Sequence, residues 1–427
     1  MKVFLDSVGC RLNQSEIERI ALQFRAAGHE IVDSPSGADY VVVNTCSVTT
    51  QAASDSRQKI RQAHRAGQAE IIATGCWATL DPKGAAALPG VQRVVNNQDK
   101  EDLVPKVLQI RPEEMDLEPL VREPLPGIHL RTRAFIKVQD GCDNFCTFCV
   151  TRLARGVSRS ISVENVLQDI RRALLGGARE LVLTGVHLGS WGQDFEDPLT
   201  LRHLLEAILK EPEIFRLRLS SLEPWDLDES FFSLWNDRRL CRHLHLPLQS
   251  GAEATLRRMA RKVTPDSFAN LVGAARSAIP DLAVTTDVIA GFPGETDSDF
   301  AESLAFVQSM RFAGGHVFTF SPRPGTAAAR YLDQIPTAVR KERNAQLRSV
   351  LSESAVSFRQ KFVGQTVPVL WESSRGLSKE GWRMEGLTDN YLRVRARSPE
   401  IKWNEISPVL IQAASADGLL GQIVSQT

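Results

Sequence analysis

The sequence predicts a mixed α/β protein of three units, and three observations lead to this fold class. Apolar strands alternate with amphipathic helices over residues 1–110, and a second series of strand and helix patterns occupies residues 132–363. From residue 364 the pattern changes to short strands separated by Gly, Ser, Asn and Pro. A chain of 427 residues exceeds what one hydrophobic core usually organises. We therefore expect a parallel α/β domain, a partial TIM-like barrel and a small β-barrel.

The first unit, residues 1–110, repeats strand and helix at short intervals. Strands are predicted at KVFLD, DYVVVN, EIIAT and VQRVVNN. Helices are predicted near residues 14–27 and 55–66, with a last helix after the fourth strand. Helical crossovers between apolar strands are typical of a parallel sheet. The following residues, 111–131, are acidic and proline-rich without clear periodicity, which predicts a linker.

The second unit, residues 132–363, continues the alternation of strands and helices. Its strands are predicted at AFIKVQ, ELVLTG, RLRLSS, HLHLP, AVTTDVIAG and HVFTF, and a long polar helix near residues 336–362 closes it. This pattern indicates a partial (β/α)6 barrel with its functional groups at the carboxyl ends of the strands. The third unit, residues 364–427, has predicted strands at TVPVLWE, GWRMEGLT, YLRVRA and LIQAASADGLLGQIV.

Composition and charge exclude some classes of protein. Apolar residues make up 43% of the chain and charged residues 24%, as in globular proteins, and no apolar stretch is long enough to span a bilayer. No secretory signal precedes the first strand, so we expect a cytoplasmic protein without a membrane partner. Because Lys plus Arg equal Asp plus Glu at 51 each, nucleic-acid binding would require local patches. The arginines of TRLARGVSRS, LRRMARK and YLRVRAR are candidates, although solvated surfaces explain each cluster equally well.

Three of the seven cysteines, Cys142, Cys146 and Cys149, lie within eight positions directly after the first predicted barrel strand. Structural zinc sites usually have four protein ligands in paired knuckles, and no fourth ligand lies nearby. An odd number of cysteines in a cytosolic protein disfavours a disulfide network. Iron-sulfur ligation fits better, because three thiolates on a 4Fe-4S cluster leave one iron open.

Three further cysteines, Cys10, Cys46 and Cys76, each lie just past a predicted strand of the first unit. If these strands are parallel, their carboxyl ends meet at one edge of the sheet. Buried cysteines often act as small apolar residues, but the shared position favours a second three-cysteine cluster site over that alternative. Cys241 has no such pattern and is predicted to be structural.

The motif GCDNFCTFC resembles that of the radical S-adenosylmethionine superfamily, in which an aromatic residue, here Phe148, precedes the last cysteine. The whole chain resembles the methylthiotransferase family. The motifs that carry this resemblance are GCRLNQSE, NTCSVT, TGC, LPLQSGAEATLRRMARK, TDVIAGFPGET and SPRPGTAAA. The third unit is similar to the family's TRAM module, an OB-like β-barrel that binds RNA. Arg152 departs from the family, which commonly has proline at that position.

The resemblance implies replacement of an unreactive C–H bond by C–S–CH3. It implies two 4Fe-4S clusters, held by the two cysteine triads, and S-adenosylmethionine as both methyl donor and radical source. The expected partners are tRNA with an adenosine beside the anticodon, a reductant such as flavodoxin or ferredoxin, and a sulfur donor.

The resemblance also suggests residues that contact S-adenosylmethionine. Each polar residue among them could equally cap the end of a strand. The candidates are Phe148, Thr184, Gly185, His187, Glu223, Gln249, Asp287 and Gly291. His243 and His245 alternate along a strand, which predicts packing roles rather than catalysis.

The substrate class follows from weaker signals. GCRLNQSE and SSLEPWDL are most similar to the group that modifies N6-threonylcarbamoyladenosine at position 37 of tRNA. Alternatives within the family are isopentenyladenosine in tRNA and an aspartate of a small-subunit ribosomal protein. A non-catalytic iron-sulfur RNA-binding protein is the alternative from another class. Alternation along YLRVRAR places Arg393, Arg395 and Arg397 on one side of a strand, where they are predicted to bind RNA.

Overall fold

The computed structural model describes residues 1–111, 132–378 and 381–425. The predicted linker therefore lies, apart from its first residue, outside the described residues. The strands of the first unit are β1 Lys2–Ser7, β2 Glu30–Val32, β3 Tyr40–Thr45, β4 Glu70–Gly75 and β5 Val91–Val95. Its helices are α1 Arg11–Ala26, α2 Thr50–Ala66, α3 Cys76–Leu80, α4 Pro82–Ala86 and α5 Leu103–Leu108.

The first unit is a five-stranded sheet in the order β2-β1-β3-β4-β5, and every pair in it is parallel. The apolar run of β3 forms the middle strand, where Val41, Val42 and Val43 are buried. Strands buried on both faces are typical of parallel sheets covered by helices. One face packs against α1 and α5 and the other against α2. The expected parallel α/β architecture is confirmed, while β2, α3 and α4 were not predicted.

The second unit contains eight strands and seven α-helices among the described residues. Its strands are β6 Arg133–Lys137, β7 Gln139–Asp140, β8 Arg159–Ser160, β9 Glu180–Thr184, β10 Leu217–Leu219, β11 His243–His245, β12 Ala283–Ala290 and β13 Gly314–Thr319. Its helices are α6 Thr151–Arg155, α7 Val163–Leu175, α8 Leu201–Ile208, α9 Glu253–Arg258, α10 Pro265–Ala278, α11 Asp297–Ser309 and α12 Thr337–Gln360.

Six of these strands form the partial barrel that the sequence predicts. They pair in the order β6-β9-β10 and β11-β12-β13, and parallel bridges such as Ser221 to His245 join the two sets. Alternate residues of the strands, such as Leu181 and Leu183 of β9, pack into the main hydrophobic core. The opposite face lines the lumen. This lumen face carries polar side chains, among them Arg133, Arg218 and His243.

The third unit is a closed five-stranded barrel in the order β14-β15-β16-β18-β17. Its strands are β14 Thr366–Ser378, β15 Gly381–Thr388, β16 Arg393–Ser398, β17 Ile406–Ser415 and β18 Gly418–Ile423. The segment that the sequence analysis treated as one strand forms two, because the chain turns between β17 and β18. Phe358 and Phe362, at the end of α12, extend the core of this barrel.

The small barrel docks at the amino ends of the larger barrel's strands. Arg216, just before β10, donates hydrogen bonds to the carbonyl oxygens of Leu387 (3.0 Å) and Pro368 (2.9 Å). Arg242, just before β11, forms an ion pair with Asp389 at 2.7 Å. Since functional loops lie at the carboxyl ends of such strands, this docking leaves the opposite end of the barrel to the cysteine loops.

A buried charge cluster joins the first unit to the second. Arg155 of α6 donates to Glu16 of α1 at 2.7 Å and to Asp140 at 2.9 Å, and its side chain is 2% exposed. Lys100 also binds Glu16 at 2.7 Å, and Lys137 binds Asp140 at 3.0 Å. Burial alone raises the pKa of Glu16, but the neighbouring Arg155 and Lys100 hold it well below the usual value. The ion pairs of Glu16 with Arg155 and Lys137 cross between the two units, so the buried Glu16 depends in part on partners in the other unit.

Replacement of Arg155 by Met tests this cluster. The substitution leaves Glu16 and Asp140 with fewer cationic partners inside the protein, which is expected to lower the free energy of unfolding by about 3 to 5 kcal/mol. Urea unfolding followed by circular dichroism measures the loss. Arg61, on the exposed surface of α2, provides the control: Arg61→Met is expected to change stability by about 0.5 kcal/mol or less. Equal stability of the two variants would contradict a structural role for the cluster.

Candidate active site

Cys10, Cys46 and Cys76 follow three neighbouring strands of the first sheet. Cys10 caps the amino end of α1 after β1, Cys46 directly follows β3, and Cys76 directly follows β4 and opens α3. Because β1, β3 and β4 are adjacent and parallel, their carboxyl ends share one edge. The structure thus brings these cysteines, here called the first triad, to one edge of the sheet.

Two glycines allow the loops of the first triad to approach one another closely. Gly9 has φ of 108°, and a Cβ added there would lie 2.7 Å from the Sγ of Cys46. Gly75 has φ of 96°, and its added Cβ would lie 2.3 Å from the carbonyl oxygen of Thr45. Both positions require glycine, because a side chain would strain the backbone and displace these neighbours.

Two asparagines hold the ends of this edge. Asn13 donates to the carbonyl oxygens of Val8 (2.8 Å) and Thr45 (3.1 Å), and its Oδ1 lies 3.6 Å from Cys10 Sγ. Asn97 Nδ2 lies 3.6 Å from the Sγ of Cys76 and donates to the carbonyl oxygen of Ala154 at 2.8 Å. The second contact links the first triad to α6.

Cys142, Cys146 and Cys149, here called the second triad, lie in the loop between β7 and α6. This loop follows the first barrel strand, at its carboxyl end. Its backbone is fixed at several points, since the amide of Cys142 donates to the carbonyl oxygen of Gly156 and that of Thr147 donates to Met259. The first residue of α6 comes two positions after Cys149, and α6 packs against α3 of the first triad. The two triads therefore lie on facing sides of one domain interface.

Gln139 joins the loop of the second triad to the end of β9. Its Oε1 accepts hydrogen bonds from the amides of Val186 (2.9 Å) and His187 (2.8 Å). Its Nε2 donates to the carbonyl oxygen of Gly141 at 2.9 Å, within the cysteine loop. A Cβ on Gly185 would lie 2.9 Å from Gln139 Oε1, which explains the glycine at that position.

His187 is buried beside the second triad. Its Nε2 lies 2.6 Å from Asp226 Oδ2, and its Nδ1 lies 3.3 Å from the side-chain Nδ2 of Asn144. Burial lowers the pKa of His187, but hydrogen bonds to Asp226 and Cys142 outweigh burial and raise it to about 10.

Arg261 connects the second triad to two other strand ends. It donates to Glu223 at 2.7 Å and to the carbonyl oxygen of Pro247 at 2.6 Å, and its Nη1 lies 3.9 Å from Cys146 Sγ. The guanidinium also lies over the ring of Trp225, 4.4 Å from its centroid. Glu223 is thus placed at the cysteine loop, held by a side chain that the sequence analysis assigned to a basic surface patch.

The remaining predicted cofactor contacts have varied surroundings. Thr184 is buried at the end of β9, and Phe148 packs against Phe292 with ring centroids 6.5 Å apart. Gln249 has φ of 72° and donates through its amide to the carbonyl oxygen of Asp287 at 2.8 Å.

Asp287 lies within β12, and Gly291 directly follows the strand. Asp287 Oδ2 lies 3.3 Å from His245 Nε2, while its buried Oδ1 has no hydrogen-bond partner among the described residues. A Cβ on Gly291 would lie 2.2 Å from Arg340 Cγ, so the space beside this glycine is filled by a protein side chain. The backbone amide of Gly291 donates to Glu295 Oε1 at 3.1 Å.

The predicted RNA-binding arginines lie on the third unit. Val394 and Ala396 of β16 are buried in the barrel, so Arg393, Arg395 and Arg397 alternate onto its outer face. Arg393 and Arg397 are exposed, whereas Arg395 forms an ion pair with Glu385 at 2.9 Å.

The prediction of exposed basic patches at TRLARGVSRS and LRRMARK is wrong for one arginine in each. Arg155 and Arg261 are buried at the domain interface and beside the second triad, respectively, and neither can face solvent as a basic patch requires. Both form ion pairs with carboxylates instead, Arg155 with Glu16 and Arg261 with Glu223.

The chemistry of both triads fits iron-sulfur ligation. Burial raises the pKa of Cys46 and of Cys146 to about 11, so both are neutral thiols until a metal displaces the proton. Within the residues that the structure describes, no group of three or more His, Cys, Asp or Glu side chains is arranged to hold a metal ion. Thiolates are the usual ligands of iron-sulfur clusters, and three of them on a 4Fe-4S cluster leave one iron without a protein ligand.

The sequence did not predict the roles of several residues of the site. Gln139, Asp226, Arg155 and Arg261 act through side-chain contacts between segments that are distant in sequence. The one available signal was position, because Gln139 and Asp226 closely follow predicted strands, where barrel sites form.

Comparisons with known proteins are consistent with this architecture. Residues 136–307 match the family model of the Radical SAM superfamily, and residues 2–96 match that of uncharacterized protein family UPF0004. The threonylcarbamoyladenosine tRNA methylthiotransferase MtaB of Bacillus subtilis is 36% identical over 99% of this chain and 96% of its own length. The protein of the same name from Thermotoga maritima is 34% identical over 98% of this chain and 96% of its own.

Solved structures show the same fold at low sequence identity. The radical S-adenosylmethionine methyltransferase TsrM from Kitasatospora setae aligns with a TM-score of 0.58 and 14% identity, over 77% of each chain. The cobalamin-dependent S-adenosylmethionine radical enzyme OxsB aligns with a TM-score of 0.52 and 12% identity, over 82% of this chain and 56% of its own. No helix within residues 1–111, 132–378 and 381–425 is both long and apolar enough to cross a membrane.

A variant with Cys10, Cys46 and Cys76 all changed to Ala tests whether the first triad holds a cluster. After anaerobic reconstitution with iron and sulfide, the parent protein is expected to contain about eight irons per chain and this variant about four. Cys241→Ala is the control, since Cys241 is buried away from both triads, and its iron content is expected to equal that of the parent. Unchanged iron content in the triple variant would contradict a cluster at the first triad.

Proposed function

The chain belongs to the tRNA methylthiotransferases of the radical S-adenosylmethionine superfamily, and from that premise we propose that it converts N6-threonylcarbamoyladenosine at position 37 of tRNA to its 2-methylthio derivative. Membership of the superfamily implies S-adenosylmethionine and a 4Fe-4S cluster as cofactors. The substrate is inferred from the names of relatives that are 33% to 36% identical over nearly the whole chain. The proposal includes a one-electron reductant, such as flavodoxin or ferredoxin, and a sulfur donor.

The observation that carries this proposal is the pair of thiol triads on facing sides of one interface. Methylthiolation needs one centre that generates a radical and another that holds the sulfur to be transferred. Cys142, Cys146 and Cys149 would hold the first, and Cys10, Cys46 and Cys76 the second. When bound, the two clusters and S-adenosylmethionine supply the radical and the methylated sulfur for the reaction.

The protein's own residues position these groups. Gln139 fixes the loop of the second triad against β9, and Arg261 fixes Glu223 beside Cys146. Arg155 and Glu16 join the first unit to the second, which supports the proposal that the two triads act on one substrate. This arrangement supports chemistry at a carbon placed between the triads, because fixed groups orient a substrate at little entropic cost.

The alternative substrates receive less support. Isopentenyladenosine in tRNA and an aspartate of a ribosomal protein need the same two clusters, but the relatives at 33% to 36% identity are named for threonylcarbamoyladenosine. A non-catalytic iron-sulfur RNA-binding protein would not need two facing triads.

Analysis of tRNA nucleosides tests the proposed reaction. The chain is expressed in a bacterial host that lacks its own enzyme for this modification, and its tRNA is digested and examined by mass spectrometry. We expect 2-methylthio-N6-threonylcarbamoyladenosine to appear with the parent chain and to be absent with Cys142→Ala. A methylthio mark on isopentenyladenosine alone, or none on either nucleoside, would contradict the proposal.

Arg393, Arg395 and Arg397 are proposed to bind the tRNA backbone. Replacing all three with Ala removes up to three phosphate contacts, which is expected to weaken tRNA binding and flatten its dependence on salt. Filter binding at several salt concentrations measures both effects. The control replaces Arg61, Arg65 and Lys83, three exposed basic residues of the first unit, with Ala. If both triple variants bind tRNA as the parent does, β16 is not an RNA contact.

A further inference from the structure

Tyr391 of the third unit extends into the lumen of the larger barrel. It follows β15 in a loop that docks on the amino ends of the barrel strands, where Arg218 donates to the carbonyl oxygens of Thr388 (3.3 Å) and Asp389 (2.9 Å). Its ring stacks on that of His243, the first residue of β11, with centroids 4.7 Å apart and planes 22° apart. A polar ring from one unit thus lies at the floor of another unit's lumen.

Three guanidinium groups surround this ring. The Cζ atoms of Arg11, Arg133 and Arg218 lie 5.3, 5.8 and 4.9 Å from its centroid. They come from α1, β6 and β10, so two of the three units supply the cations and the third unit supplies the phenol. His243 adds no charge, because burial and the nearby Arg218 lower its pKa well below the usual value.

Two of the three arginines already have carboxylate partners. Arg218 binds Glu180 at 2.6 Å, and Arg133 binds Glu372 at 2.5 Å. Among the described residues, the side chain of Arg11 forms no ion pair, and its hydrogen bond goes to Tyr391 Oη at 2.6 Å. Arg11 therefore carries a positive charge inside the lumen that no carboxylate of the described chain neutralises.

The hydroxyl of Tyr391 is also free to donate. Its oxygen accepts from Arg11 at 2.6 Å and also forms a hydrogen bond with Arg133, and no acceptor for its own proton is found within the described part of the chain. Burial raises the pKa of Tyr391, but Arg11 and Arg133 outweigh burial and lower it, which makes the hydroxyl a stronger donor. A guanidinium and a phenol that are hydrogen-bonded to each other form a donor pair that suits a carboxylate, which accepts from both.

We propose that Arg11 and Tyr391 bind the carboxylate of the N6 substituent on the target adenosine. This inference rests on the proposed function and names the groups that select its substrate. Threonylcarbamoyladenosine carries such a carboxylate, whereas isopentenyladenosine and unmodified adenosine carry none. A site that pairs a half-buried cation with a substrate carboxylate disfavours neutral analogues, because they leave the cation without its partner.

The position of Arg11 in the chain fits this role. It directly follows Cys10 of the first triad, so the group that binds the substituent and the group proposed to hold sulfur are fixed by adjacent residues. In adenine, C2 and C6 both flank N1. A base that presents C2 to the triads therefore keeps its N6 substituent on the same edge of the ring, the edge that faces Cys10 and Arg11.

Three tRNA anticodon hairpins test the inference. They carry threonylcarbamoyladenosine, its carboxamide analogue of equal size, or unmodified adenosine, and their binding to the reconstituted full chain is measured by fluorescence anisotropy at fixed salt. The parent chain is expected to prefer the carboxylate over the carboxamide by roughly tenfold to a hundredfold. Arg11→Gln is expected to abolish this preference, Arg11→Lys to keep part of it, and Tyr391→Phe to reduce it. Arg19→Gln, a change outside the lumen on the same helix, is expected to leave it intact.

Each alternative outcome has a distinct meaning. Equal binding of the carboxylate and carboxamide hairpins by the parent chain would overturn the inference. An equal loss of affinity for all three hairpins in Arg11→Gln would also overturn it and would indicate a contact with backbone phosphate. Iron content is measured in parallel. If Arg11→Gln loses iron, the inference is judged from Tyr391→Phe: a reduced preference for the carboxylate over the carboxamide hairpin supports it, and an unchanged preference overturns it.

The proposed function can fail separately. A chain that methylthiolates hairpins with isopentenyladenosine, and not those with threonylcarbamoyladenosine, would contradict the proposed substrate. A chain that methylthiolates threonylcarbamoyladenosine and its carboxamide analogue equally well would contradict only the assignment of Arg11 and Tyr391.

Discussion

The buried ion pair between Arg155 and Glu16 is the interaction on which the arrangement of the site depends. Arg155 ends the short helix after the second triad, and Glu16 lies two turns after Cys10 in α1. Removing two charged groups from water is costly, and docking of the two units adds the Arg155–Glu16 pair to the pairs that each residue forms within its own unit. The same contact that holds the units together therefore sets the cysteine-bearing edge of the first sheet against the cysteine loop of the barrel.

The third unit docks on the amino ends of the barrel strands and closes that end of the lumen. Arg216 and Arg218 tie its loop to the amino ends of the barrel strands, and Tyr391 occupies the floor of the lumen. The lumen thus has thiols at one end and a cationic, hydrogen-bonding floor at the other. Under the two proposals made above, the third unit would contribute to the substrate site as well as bind RNA.

Sequence patterns predicted the parts of this structure that depend on local periodicity. The parallel sheet and the partial barrel followed from apolar strands alternating with helices, and the edge position of Cys10, Cys46 and Cys76 followed from strand direction. The pairing partners did not follow, because Arg155 and Glu16 are 139 residues apart, and Arg11 and Tyr391 are 380 apart. From the sequence alone, Arg155 and Arg261 resembled surface cations, since nothing in a local pattern reports that a distant carboxylate will bury them.

Anomalous diffraction at the iron edge, from crystals of the anaerobically reconstituted protein, tests the central claim most directly. We predict two iron-sulfur clusters, one bound by Cys10, Cys46 and Cys76 and the other by Cys142, Cys146 and Cys149, with both open toward the space between the first two units. A single cluster, or a second cluster on any other surface of the first sheet, would contradict the account.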